Sequence, residues 1–146
     1  MPFPEPANGL VVRYSYLWRE EHLKGQEEGV KDRPCAVILV VANEENGDRT
    51  VTVLPITHTP PRQSGDAIEI PAATKRRLGL DDEKSWVVLN EANRFIWPGP
   101  DLRPLRQGDP ESVAYGLLPE TLFEQIRTAF LAKVRARKVS ALSRSE

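Results

Sequence analysis

Cys35-Ala36-Val37-Ile38-Leu39-Val40-Val41 is an unbroken apolar run, and Asn46-Gly47 follows it closely. A run this short, bounded by turn residues, reads as a strand buried on both faces. Asn-Gly supplies the two positive-φ positions of a type I′ hairpin. Thr50-Val51-Thr52-Val53-Leu54-Pro55-Ile56 then reads as the returning strand. Pro55 has no N–H to give a ladder, so pairing on that side should end or bulge there. A hairpin with two apolar faces needs cover on both, and this requirement governs how the rest of the chain is read.

Gly9 to Trp18 is rich in β-branched and aromatic residues and predicts a first strand. Residues 19–32 are almost wholly polar and predict a long, mobile loop. Ala67–Ile70 and Ser85–Leu89 predict two short strands, with a helical turn or two between them, opened by Pro71 and closed by Gly79. From Trp97 to Pro110 the prolines at 98, 100, 104 and 110 predict an extended loop outside the core. Pro119 and Glu120 open a helix whose apolar residues, Leu122, Phe123, Ile126, Phe130 and Val134, fall at helical spacing. The expected organisation is an irregular lead over residues 1–8, one domain over 9–134 and a basic, fraying tail over 135–146. The fold class is mainly β with α: short strands curl into a small barrel or half-open sandwich, with the terminal helix covering one end.

Length and composition narrow the function. At 146 residues there is room for one ordinary domain, and thirteen prolines argue against a helical bundle. The formal charge of −1 announces no nucleic-acid partner, although a local basic groove can sit on a neutral protein. A single cysteine, Cys35, excludes an internal disulfide, and Met1-Pro2-Phe3-Pro4 lacks a targeting pattern, so the cytoplasm is the expected location. No apolar run approaches the roughly 20 residues that span a bilayer, so no membrane partner is expected. There is no Gly-rich phosphate loop, no Gly-x-Ser-x-Gly elbow and no Cys/His cluster with zinc spacing, so neither a metal nor another cofactor is expected.

What remains is a set of polar residues at strand ends. Counting outward from Asn46-Gly47, Arg33 and Thr57 fall near the same end of the hairpin. A guanidinium beside a hydroxyl would bind phosphate, because arginine offers a fork of donors matched to phosphate oxygens. The competing reading of Arg33 is a structural ion pair with Asp32 or Glu28. His58 could act as a general base, its ordinary pKa being near 6.5, though a lone loop histidine is more often solvated. Lys75 and Arg76 sit in the most basic run of the body; such runs are usually solvated faces, and a phosphate-tracking role is the alternative. Trp18, Trp86 and Trp97 could stack bases, Trp97 above all because proline and glycine flank it.

Glu28-Gly29-Val30-Lys31-Asp32-Arg33-Pro34-Cys35-Ala36-Val37-Ile38-Leu39 resembles the signature of the MazF/PemK/Kid family of toxin endoribonucleases, in which an acidic residue precedes an Arg-Pro pair by five positions. Val53-Leu54-Pro55-Ile56-Thr57 resembles the family's second signature, and Val87 to Arg94 a third. Tyr115 to Glu120, leading into a helix, resembles its C-terminal ending. The resemblance implies an SH3-like barrel that forms a homodimer, is neutralised by a cognate antitoxin protein and cleaves single-stranded RNA without a metal. It implies attack of the ribose 2′-hydroxyl on phosphorus, giving a 2′,3′-cyclic phosphate and a 5′-hydroxyl. Arg33 would stabilise the phosphorane or act as the acid, Thr57 would bond a phosphate oxygen, and Glu28 would position or deprotonate the nucleophile. Arg94 matches an arginine that does acid or phosphate work in some members.

Where those members carry an aspartate shortly after that arginine, this chain has Phe95, Ile96 and Trp97. The alternative is therefore a catalytically inactive, SH3-like protein-binding module of the same fold, with Trp97 and its proline-rich loop meeting a partner. A gyrase-directed inhibitor, from a related branch of the fold, is a third reading.

Overall fold

A computed structural model describes residues 3–23, 32–136 and 138–144. Among them run β1 (Leu10–Tyr14), α1 (Arg19–Leu23), β2 (Arg33–Ala42), β3 (Arg49–Thr57), β4 (Ala67–Glu69), α2 (Ala72–Leu78), β5 (Trp86–Val88), β6 (Glu91–Ile96), β7 (Ala114–Leu117), α3 (Glu120–Arg135) and β8 (Ser140–Ser143). The strands form one mainly antiparallel sheet in the order β4-β5-β3-β2-β1-β7, and β6 pairs with both β3 and β8. The β6–β8 pairing is parallel. Among the described residues β4, β7 and β8 each pair on one side only, so the sheet stays open. No helix among them is long and apolar enough to cross a membrane.

β3 bends the sheet. Its first half, through Val53, pairs with β6, and its last two residues, Ile56 and Thr57, pair with β5. The handover falls at Leu54 and Pro55, and Pro55 is also the last residue paired with β2. A residue without an N–H is least costly where one partner leaves and another arrives.

Both faces of the central strands are covered, as the apolar run requires. Val11, Ala36, Ile38, Leu54 and Ile56 pack under Leu122, Phe123, Ile126 and Phe130 of α3. Val12, Cys35, Val37, Val51 and Val53 pack on the opposite face under Phe95, Trp97, Leu102 and Val113. The burial of β2 is not continuous, however. The register with β3 shifts between Val37 and Leu39, and this bulge exchanges the two faces. Val40 then joins the second core, while Leu39 and Val41 emerge about half exposed.

Four expectations are corrected. The hairpin turn is not a two-residue type I′ turn: Asn43 N–H donates to Asp48 O, and the Asn43 side chain accepts from the N–H groups of Glu45 and Asn46. That Asx closure makes a four-residue loop, which Gly47 finishes at φ 76°. Residues 19–23 are helical rather than loop, and the rest of the polar stretch lies outside the described residues. The segment 97–113 is irregular as expected, but it is core cover, with Trp97 and Leu102 buried. The tail folds back as β8 beside β6 instead of fraying.

Candidate functional site

Arg33 opens β2, and the register of Cys35 with Pro55, continued by two residues, sets it opposite Thr57. Both line a cleft of about 480 Å³ together with Trp18, Thr59, Arg62 and Asn90. The Arg33 guanidinium lies over the Trp18 ring, its carbon 4.9 Å from the ring centroid. Its Nε is buried and has no hydrogen-bond partner among the described residues. The pairing with Asp32 does not form: Asp32 faces Arg13 at 3.7 Å and Arg103 at 3.5 Å. Two carboxylates also line the cleft, those of Glu20 and Asp66, and Asp66 is neutralised by Lys133 at 2.7 Å.

Trp18 is held by residues distant in sequence. Asn93, fully buried on β6, accepts from Leu17 N–H at 2.9 Å and donates to Leu17 O at 2.9 Å. Glu91, two residues earlier on the same face, accepts from Tyr16 OH at 3.1 Å and from Arg19 N–H at 3.0 Å. Burial raises the Glu91 carboxyl above the usual range, and burial with the nearby Glu91 charge pushes the Tyr16 phenol up as well. Glu21 accepts from Trp18 N–H at 3.0 Å, which turns the chain into α1. β1 ends at Tyr14, short of the expected Trp18: Ser15 N–H donates to Asp101 O and Tyr16 N–H to Tyr14 O, and the N–H groups of Leu17 and Trp18 go to the Asn93 and Glu21 side chains. Arg144, just past β8, donates to Ser15 O at 2.9 Å and to Asn93 Oδ1 at 3.0 Å. The C-terminal segment therefore braces the support on which Trp18 and Arg33 rest.

No family model, curated protein or solved structure matches this chain. The functional reading rests on what the cleft residues offer: an arginine with an unused donor, a hydroxyl, a second arginine and an aromatic face. Such a set accepts a phosphate with an attached planar ring.

The other site candidates are dispersed. Arg94 is exposed on β6, reaches Ser143 Oγ at 3.4 Å and lines a separate depression with Thr50 and Ile96. Trp97 is only 7% exposed and donates Nε1–H to Pro4 O at 3.1 Å, so it presents no face for a base to stack on. Lys75 is not on a solvated face: it is 4% exposed, and its ammonium donates to Asp81 Oδ1 at 2.6 Å, to Ser85 Oγ at 2.7 Å and to the Glu83 carbonyl. Arg76 is exposed on α2 and does not line the Arg33 cleft. Glu28 lies outside the described residues.

His58 follows the end of β3. It lines a smaller cavity of about 200 Å³ that Arg33, Asp32, Lys75, Asp81 and Ser85 share. Its Nε2 lies 2.7 Å from Asp81 Oδ2. The Lys75 hydrogen bond, helped by that from His58, holds the Asp81 carboxyl below the usual carboxylate range. Sequence reading overlooked Asp81, Asn93 and Arg144. The acidic run Asp81-Asp82-Glu83 after Gly79 was a visible signal for the first, whereas a single asparagine in a strand and an arginine in a tail carried none.

Proposed function

We propose that this chain is a metal-independent endoribonuclease of the MazF/PemK/Kid toxin type on an SH3-like fold, cutting single-stranded RNA in the cytoplasm, acting as a homodimer and neutralised by an antitoxin protein. One observation carries the reading: Arg33 and Thr57 line one cleft beside Trp18, with an Arg33 donor unspent. The cleft volume is in the range of small-ligand sites and suits a nucleotide. The 2′-oxygen attacks phosphorus, the P–O5′ bond breaks, and a 2′,3′-cyclic phosphate and a 5′-hydroxyl remain. Negative charge builds on the non-bridging oxygens as the phosphorane forms. Arg33 and the Thr57 hydroxyl meet that charge as fixed donors, which stabilises the transition state more than the ground state.

The purified protein, incubated with mixed-sequence single-stranded RNA in EDTA, is expected to give fragments ending in cyclic phosphate. Intact RNA after incubation with folded protein overturns the catalytic reading.

A second reading, an inactive protein-binding module, draws on a different observation. Leu39 and Val41 on β2 and Ile96 on β6 are exposed on the two strands that flank β3, in the cross-strand rows Leu39–Thr52–Arg94 and Val41–Thr50–Ile96. Apolar side chains grouped this way suit a protein contact.

A further inference from the structure

We propose that His58, held by Asp81, is the general base that takes the proton from the attacking 2′-hydroxyl. This rests on the ribonuclease reading and assigns a catalytic residue within it.

The local chain geometry makes the placement. Thr57 is the last residue of β3 and His58 the first beyond it, and the two line different cavities. Thr57 lines the larger cleft and His58 the smaller one, and Arg33 lines both. Arg33 is the residue the two cavities share with this strand end, and in the proposed complex a phosphate held by Arg33 at their common wall is approached by Thr57 from one cavity and by His58 from the other. The His58 side chain is 49% exposed, so substrate can reach it.

The imidazole is oriented rather than loose. Asp81 divides its two oxygens: Oδ1 accepts from Lys75 at 2.6 Å, and Oδ2 meets His58 Nε2 at 2.7 Å. Lys75 is itself fixed by Ser85 and by the Glu83 carbonyl. An ionised carboxylate only accepts, so Nε2 carries the hydrogen of that bond. In the neutral ring the lone pair then falls on Nδ1. Glu83 Oε2 is 3.9 Å from Nδ1, beyond hydrogen-bond distance, so that lone pair is available. A carboxylate that fixes the tautomer of a catalytic imidazole is the arrangement of hydrolase triads.

The charged groups around His58 come from three elements. Asp81 and Glu83 approach from the loop after α2. Lys75 on α2 and Arg33, next to Asp32 at the start of β2, line the same cavity. Nδ1 takes the proton from O2′ as the O2′–P bond forms. The P–O5′ bond breaks, and O5′ takes a proton from solvent water. The imidazolium then returns its proton to solvent, which restores the balance.

The same three side chains could instead hold a cation, since one donor atom from each of His58, Asp81 and Glu83 lies within 4.8 Å of the others. The Lys75 ammonium already occupies Asp81 at 2.6 Å, which favours the base role.

The test uses the full chain and a synthetic mixed-sequence single-stranded RNA, with initial rates measured in EDTA from pH 5 to 9. His58→Gln is expected to lower kcat by roughly 10²- to 10⁴-fold with KM changed only a few-fold. The acidic limb of the wild-type pH–rate profile disappears in this variant, and added imidazole restores part of the rate to His58→Ala. Asp81→Asn shifts that limb and lowers the rate less. The unfolding midpoint of His58→Gln stays near wild type, because the ring is half exposed. If the wild type cleaves while His58→Gln cleaves equally well with the limb intact, the base role is overturned and the ribonuclease reading stands. Cleavage that stops in EDTA and returns with added divalent metal overturns both the base role and the metal-independent mechanism, in favour of a metal at His58. A wild type that cleaves no RNA overturns both.

Discussion

Arg33→Ala is expected to lower RNA cleavage by about 10²- to 10³-fold, the usual loss when one fixed donor to a developing oxyanion is removed. Arg33 lines both cavities, its guanidinium rests on Trp18, and its buried Nε has no partner among the described residues. A purely structural arginine would have spent that donor on the protein. Its contact with Trp18 is worth about 0.5–1 kcal/mol at a partly exposed site, so the variant should fold with little change in its urea midpoint. Arg33→Lys keeps the charge but loses the planar fork, and should recover only part of the rate. Single-turnover cleavage of saturating RNA reads the chemical step directly. If the wild type cleaves and Arg33→Ala keeps pace with it, phosphate chemistry at the Arg33–Thr57 end of the hairpin is excluded.

Arg144→Ala is expected to destabilise the fold by about 3–5 kcal/mol, a large share of what a domain this size has. The Arg144 side chain is 4% exposed and lies 3.1 Å from Asp101, itself 10% exposed. It also bonds Ser15 O and Asn93 Oδ1 and lies over the Tyr14 ring. Removing it leaves a buried carboxylate without this cation. The double variant Arg144→Met with Asp101→Asn should regain much of the loss, because no charge is then buried. Urea unfolding of the three proteins decides the matter, and a single variant within about 0.5 kcal/mol of wild type would mean that the C-terminal segment contributes no net stability. Because Asn93 also holds Leu17, Arg144→Ala should loosen Trp18 and blunt cleavage even where the protein stays folded.

The elements that were legible in the sequence are those whose signals are local. The central hairpin, α2 between Pro71 and Gly79, the strands around Ile68 and Val87, and the apolar stripe of α3 all follow from periodicity and turn residues within a few positions. That Arg33 and Thr57 fall near the same end of the hairpin was legible for the same reason, since both are counted outward from its turn. β6 was not legible: Asn93 and Arg94 interrupt its apolar pattern, and Asn93 is tolerated inside because it bonds the backbone of Leu17. The bulge at Ile38, which exposes Leu39 and Val41, left no mark in an apolar run that looks the same on either side of it.

The sequence by itself determined the central hairpin, the short strands β4 and β5, α2, α3 and which end of the hairpin carries Arg33, because backbone geometry and side-chain period act over neighbours. The tertiary structure decided what those residues meet. Lys75 turned inward because Asp81 and Ser85 were there to satisfy its ammonium. Trp97 was buried because the second face of the sheet needed cover, and Trp18 came to rest on Arg33 because β6 and the C-terminal segment hold residues 15–19 in place. Hydrogen bonds and burial between residues some seventy positions apart depend on chain folding as a whole, and no local pattern encodes them.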